Sequence, residues 1–151
     1  MRVESAIETG KKRDWTWIAA CLLAIVGLLD SLYLAYIKLA NQTASCDLFG
    51  DCEKVNNSRY AVIGGVPIAV LGAAGYLLIL VLLYLDRPSA GGPEPVRFAF
   101  FGLTLAGTLY SIYLTYLELF VLEAICPFCA LSAVVMVGLF VLSFVRLRLW
   151  A

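Results

Sequence analysis

The chain has 151 residues, of which 62% are hydrophobic and only 15% charged, with no net charge at pH 7 and a mean hydropathy of +0.91. A soluble domain is nearer half apolar and a quarter charged. No basic cluster is larger than Lys11-Lys12-Arg13, so nucleic-acid binding has no electrostatic footprint, and the lack of any histidine removes imidazole bases, Ser–His nucleophiles and His-liganded metal or haem sites.

In chain order, a polar segment 1–14 precedes an apolar run over 15–37 that is broken once, by Asp30. Trp15 and Trp17 sit at its start, as interfacial aromatics do. The run is too long for the 7–15-residue core of a secretory signal and no small-x-small cleavage site follows it. A polar loop over 41–59 leads to a second apolar stretch, 60–85, which is longer than one crossing needs. Gly64, Gly65 and Pro67 interrupt it, so 58–63 is expected as a short segment lying at the outer interface, with the second helix starting near Pro67. Pro88, Gly91, Gly92, Pro93 and Pro95 mark a turn-rich loop over 86–95. The third apolar run covers 98–117, a turn follows over 118–125, and the fourth run covers 124–145. The expected fold is all-α and membrane-integral: a four-transmembrane-helix bundle over 15–146 with polar tails at 1–14 and 147–151, and an outer loop with a short interfacial helix between helices 1 and 2.

Lys and Arg give the expected orientation. With the N-terminus cytoplasmic, Arg2, Lys11, Lys12, Arg13, Arg87, Arg97, Arg146 and Arg148 lie inside, and Lys38, Lys54 and Arg59 lie outside. That is the positive-inside asymmetry. It puts both chain termini inside and the 41–59 loop and the 118–125 turn on the outer, oxidising side.

Residues 25–39 and 105–119 match at an offset of 80, through Gly27/Gly107, Ser31/Ser111, Tyr33/Tyr113 and Tyr36/Tyr116 as well as three leucines; the same offset carries Cys46 onto Cys126. Aligned Gly, Ser and Tyr do not follow from hydrophobicity alone. Helices 1 and 3 are therefore expected to run the same way, each delivering a cysteine to the outer face. Gly27, Ser31, Gly107 and Ser111 allow close helix approach.

Cys46 and Cys52 form Cys-x5-Cys in the outer loop; Cys126 and Cys129 form Cys-Pro-Phe-Cys where helix 4 begins; Cys21 stands alone in helix 1 and reads as a packing residue. A cysteine at a helix start lies among unpaired N–H groups at the positive end of the dipole, which stabilises its thiolate. Pro127, lacking an N–H, suits the first helical position. Cys129, one turn deeper, faces the hydrocarbon boundary. Two dithiols on one face can pass electrons by thiolate attack on a disulfide. They can equally be static staples of a non-enzymatic scaffold. A four-thiolate zinc site is disfavoured by the x5 spacing, and no metal is expected.

The string CDLFGDCEKVNNSRY, then GGVPIAVLG, then ICPFC at helix 4 resembles the vitamin K epoxide reductase family, its bacterial members in particular, over about residues 20–145. The DsbB proteins carry their two cysteine pairs in the reverse order. The resemblance implies a quinone-dependent thiol:disulfide oxidoreductase that serves disulfide bond formation. Cys126 and Cys129 match the redox centre, with Cys129 next to the quinone (ubiquinone or menaquinone). Cys46 matches the cysteine that receives electrons from a thioredoxin-like partner, Cys52 the one that attacks Cys126, and Ser58 a serine near the redox pair. Bacterial relatives often carry a fused thioredoxin-like domain that is not seen here, so a separate DsbA-like periplasmic protein is the expected partner, and a bacterial inner membrane the expected location.

Vertebrate members hold vitamin K with an Asn at the start of helix 2 and a Tyr in helix 4, where this chain has Ile68 and Ala133. That counts against epoxide reduction of the vertebrate type and leaves quinone reduction standing. The expected ring pocket is lined by Val66, Ile68, Ala69, Tyr110, Tyr113, Leu114 and Ala133. Asp30 would cost roughly 2.5–3.5 kcal/mol facing lipid at mid-depth, so it should face the bundle interior. Two roles stand for it: proton donor to the reduced quinone, or a helix contact bonded to a Tyr or Ser. The second is the simpler.

Overall fold

The computed structural model describes residues 2–40, 59, 62–89, 91–123 and 125–150. Helix α1 (Arg2–Leu39) is followed by two-residue strands β1 (Val62–Ile63) and β2 (Val66–Pro67), then α2 (Ile68–Leu85), α3 (Glu94–Tyr116) with a terminal turn of π-helix at Leu117–Val121, and α4 (Pro127–Trp150). All four helices are long and apolar enough to cross a membrane, and the chain is an integral membrane protein. Helix α1, at ~1.5 Å per residue, is roughly 57 Å long, well beyond the hydrocarbon layer. It extends back through the polar first residues, where Glu8 and Lys12 pair across one turn at 2.9 Å.

Helix α1 packs against α2 and α4, and α3 against α4 and, less closely, α2, so α1 and α3 are diagonal partners. Both run the same way, as the internal repeat suggests. At one end of the bundle, Arg13 and Thr16 of α1, Asp86 after α2, Arg97 of α3 and Arg146 of α4 meet. At the other end Ile37 of α1 joins Cys126, Leu122, Phe128 and Cys129.

The first end is held by charge. Asp86 and Arg146 are each only 1% exposed. Asp86 takes an ion pair from Arg146 through Oδ2 and one from Arg97 at 3.0 Å through Oδ1, and its carbonyl accepts a further bond from Arg146 at 2.9 Å. Arg146 also reaches the Arg13 carbonyl at 3.3 Å and the Thr16 hydroxyl at 3.4 Å, while the Trp17 indole donates to the Leu83 carbonyl at 2.8 Å. One buried carboxylate thus ties all four helices. Gly92 lies so close that a Cβ would stand 2.6 Å from the Asp86 Cα, which fixes the course of the 86–93 turn.

The middle is held by small residues and hydroxyls. A Cβ on Gly27 would fall 2.3 Å from the Tyr76 ring, and one on Gly107 2.7 Å from the Met136 sulfur. The Tyr76 hydroxyl bonds across the bundle to Ser132, at 2.8 Å to its Oγ and 3.0 Å to its carbonyl; Thr104 and Ser143 share a hydrogen bond at 3.0 Å. The large apolar side chains left on the outside, such as Leu22, Leu29, Leu77, Val134 and Val141, suit contact with lipid rather than water. Cys21 packs against the core formed by Ala20, Ala24, Tyr76 and Ile79, as expected of a packing residue.

At the end of the expected interfacial segment, residues 62–63 form a strand, antiparallel to 66–67 with Val62 opposite Pro67. Gly64 and Gly65 both adopt positive φ (57° and 85°) between them, a conformation that admits a two-residue hairpin turn and not a continued helix. Helix α2 then starts immediately after Pro67, one residue from the expected position.

Candidate active site

The site is built at the end of the bundle opposite the charged clamp. The chain leaves α3 through the π-turn, turns back at Glu123 in a left-handed conformation (φ 49°), and enters α4 at Pro127. Pro127 occupies the first helical position, where its missing N–H costs nothing. Cys126 is therefore the residue that caps the helix. Its carbonyl accepts the first helical bond, from the Ala130 N–H at 3.0 Å, and its sulfur accepts from the N–H groups of Phe128 and Cys129. Cys126 is fully buried, in contact with Ile37 of α1; the adjoining Phe128 ring packs on Tyr33 with centroids 5.1 Å apart.

Cys129 lies one turn further along α4, partly buried, and the two sulfurs are not joined to one another. The Cys129 thiol is within hydrogen-bonding reach of the Cys126 sulfur. That contact holds the Cys126 thiol below its ordinary range, with the Cys129 and Phe128 N–H groups acting in the same direction and burial and the Glu118 charge acting against it.

Two carboxylates flank the pair. Glu118, 7% exposed, sits in the π-turn; its Oε2 accepts from the Cys126 N–H at a long 3.4 Å, and its carboxylate lies within hydrogen-bonding reach of the Cys129 thiol. Asp30, 7% exposed, approaches from α1, and its charge reaches both the Cys129 sulfur and Tyr76. Neither Asp30 oxygen has a hydrogen-bond partner among the described residues. Its place in the bundle interior is as expected; no bond to a Tyr or Ser is formed among the described residues, where the nearby Tyr76 hydroxyl is committed to Ser132.

Glu118 escaped the sequence reading, which assigned it only to a turn. The π-turn adds a residue to the last turn of α3, and Leu117 and Glu118 within it are both buried. The one available signal was a carboxylate at the end of an apolar run, eight residues before Cys126.

Cys46, Cys52 and Ser58 lie outside the described residues. Of the expected ring-pocket residues, Val66 lies in β2, Ile68 and Ala69 at the start of α2, Tyr110, Tyr113 and Leu114 in the last two turns of α3, and Ala133 one turn beyond Cys129. Ile68, Ala69, Leu114 and Ala133 are partly buried, while Tyr110 and Tyr113 are 36% and 50% exposed, with ring centroids 6.1 Å apart. No group of three or more metal-binding side chains occurs among the described residues.

Comparison with known proteins agrees with the site. Residues 17–144 match the model of the Vitamin K epoxide reductase family. The chain is also 35% identical over 122 residues, 77% of its length, to a thiol-disulfide oxidoreductase of Arabidopsis thaliana, LTO1, of which that match covers 32%. The chain thus spans about a third of the length of that relative. With the family match extending over all four helices and the Cys126–Cys129 pair, the chain belongs to the vitamin K epoxide reductase family, a family of enzymes.

Proposed function

We propose that this protein is a thiol:disulfide oxidoreductase that takes two electrons from the dithiol of a thioredoxin-like protein and passes them to a membrane quinone, in the service of disulfide bond formation. The observation that carries the reading is the arrangement at Cys126 and Cys129. A thiol stabilised as thiolate at the head of a membrane-spanning helix stands beside a second thiol that faces the bundle interior.

The residues act in order. A dithiol of the partner reduces Cys46–Cys52 by exchange through Cys46. The Cys52 thiolate then attacks Cys126, forming a mixed disulfide and releasing Cys129 as thiolate. Resolution of the mixed disulfide by Cys46 restores Cys46–Cys52 and leaves Cys126 and Cys129 reduced. Ser58 is assigned to the vicinity of the pair by its place in the family motif. Oxidation of Cys126 and Cys129 back to the disulfide releases two electrons and two protons.

The residues present fit a quinone as the acceptor. Asp30 offers two buried oxygens with no protein partner among the described residues, inside an apolar bundle and within electrostatic reach of Cys129. A buried carboxyl without a partner is costly, and a ligand carbonyl or hydroxyl would satisfy it. Asp30 would orient the ring, and Val66, Ile68, Ala69, Tyr110, Tyr113, Leu114 and Ala133 would line its pocket. When bound, the quinone supplies a two-electron, two-proton acceptor soluble in lipid. The Lys/Arg distribution supports placing Cys126 and Cys129 at the outer, periplasmic face and both termini in the cytoplasm.

The test uses the full chain in lipid nanodiscs with decylubiquinone, following quinol formation by absorbance. Cys129→Ala abolishes turnover with every electron donor. Cys46→Ser blocks turnover with a thioredoxin-like dithiol protein but not with dithiothreitol, which reaches the inner pair directly. A scaffold held by static disulfides would reduce no quinone in any of these combinations, and that result would refute the proposal.

A further inference from the structure

The proton carried by Cys129 has two acceptors in reach. One is the Cys126 sulfur, the other the Glu118 carboxylate, which is held in place by the Cys126 N–H at 3.4 Å. While Cys126 is the thiolate, the proton belongs to Cys129. Oxidation of the pair requires Cys129 to lose it, and an exposed base cannot reach a partly buried thiol that lies inside the first turn of α4. Glu118 is 7% exposed and lies within hydrogen-bonding reach of that thiol. Moving the proton from Cys129 to Glu118 leaves the charge of the site unchanged, whereas loss to water would leave Cys126, Cys129 and Glu118 all anionic in one dry pocket.

We propose that Glu118 is the general base for Cys129 and the relay that hands its proton to the acceptor. This rests on the redox reading above, but concerns a step internal to this chain. The step balances as follows. The Cys129 S–H bond breaks and its proton goes to the Glu118 carboxylate. The Cys126 and Cys129 sulfurs then join in a disulfide, and two electrons pass to the quinone. The acceptor oxygens take two protons: that held by Glu118 and that given up when Cys126 became a thiolate. Glu118 ends as the carboxylate it began as.

The groups that face Glu118 are the Cys126 N–H and the Cys129 thiol from the head of α4; Asp30 of α1 acts on Cys129 from the other side. A purely structural Glu118, present to tie the loop to α4, predicts something different. The amide of Glu118→Gln has the same shape and an oxygen that still accepts from the Cys126 N–H, so a structural role survives that change and a base does not.

The experiment compares the full chain with Glu118→Gln and Glu118→Asp in nanodiscs, fully reduced. The first readout needs no acceptor: the rate of Cys129 alkylation by N-ethylmaleimide against pH, in a Cys126→Ser background, with the labelled cysteine identified by mass spectrometry. Glu118→Gln slows alkylation at pH 7 at least tenfold and regains speed as pH rises; Glu118→Asp lies between it and the parent. The second readout is the single-turnover rate of Cys126–Cys129 disulfide formation with decylubiquinone, which falls in Glu118→Gln by about the 10²–10⁴ of a lost general base. Equal alkylation profiles in parent and Gln variant overturn the proposal. So does an equal loss in Gln and Asp variants accompanied by a lowered melting temperature, which marks a structural role. If the parent pair is never oxidised by decylubiquinone yet the alkylation difference holds, the acceptor assignment fails and Glu118 remains the base for Cys129.

Discussion

Removing the sulfur of Cys129 tests how Cys126 is activated. The Cys126 sulfur accepts from the Cys129 thiol and from the N–H groups of Cys129 and Phe128, and the thiol contributes the most. A hydrogen bond to a charged group is worth about 1.5–3 kcal/mol, so loss of the thiol donor raises the Cys126 pKa. The sign follows from which form is stabilised: the donor favours the thiolate, so its removal favours the thiol and moves the titration to higher pH. In Cys129→Ala the two backbone donors remain, and Cys126 returns toward the ordinary cysteine range without becoming fully unperturbed. At pH 7 its thiolate population, and its rate of reaction with iodoacetamide, fall by at most the roughly 10- to 100-fold that a charge-assisted hydrogen bond is worth. Cys129→Ser, whose hydroxyl still donates, recovers part of the loss. The assay is iodoacetamide labelling of Cys126 between pH 5 and 10, read by mass spectrometry. Identical midpoints in the parent and Cys129→Ala would show that the backbone alone activates Cys126, and the coupling described here would be wrong.

Asp30→Asn removes the burial cost of a carboxylate whose oxygens have no partner among the described residues, so it raises the melting temperature, by about 1–2 kcal/mol of stability, while raising the KM for decylubiquinone; a less stable variant with unchanged KM contradicts the assignment. Asp86→Ala leaves two guanidinium groups facing each other in a buried site, and costs about 3–5 kcal/mol in thermal unfolding, with no shift in the Cys126 labelling midpoint of the folded fraction. Gly27→Ala drives a methyl into the Tyr76 ring and costs about 1–3 kcal/mol, whereas Gly107→Ala meets only the flexible Met136 side chain and costs less. Equal losses in these two variants would show that α1 and α2 yield more readily than the 2.3 Å approach implies.

The parts of the architecture visible in the sequence are those set by local chemistry. Four apolar runs of membrane length, a proline before α2 and a Cys-Pro step before α4 each act within a turn or two of themselves, and the structure places helices there. The repeat anticipated the parallel course of α1 and α3 because Gly27 and Gly107 do the same work, each admitting a side chain of the neighbouring helix. What escaped depends on distant pairings or on a change of register. The clamp joins Asp86 to Arg146 across 60 residues, and composition offers no sign that these charges are buried. Glu118 is buried within a π-turn that apolar periodicity does not signal, and Asp30 has no bond among the described residues, where a tyrosine from another helix is already engaged. Gly64 and Gly65 show in the sequence as an interruption of helix propensity, but the pairing that their positive φ allows at 62–67 has no local signal of its own. The loop pair Cys46 and Cys52, and Ser58, remain assignments made from the motif.

The central claim is that two electrons held by Cys126 and Cys129 leave directly for a quinone in the lipid phase. The direct measurement is a rapid-quench experiment on the reduced full chain in anaerobic nanodiscs, mixing with decylubiquinone, trapping thiols with maleimide at each time and counting quinol in the same samples. The account predicts that one quinol appears for each Cys126–Cys129 disulfide formed, on one time course, and that neither appears in Cys129→Ala. Disulfide formation at the same rate without quinone, or quinone added without loss of either thiol, would contradict it.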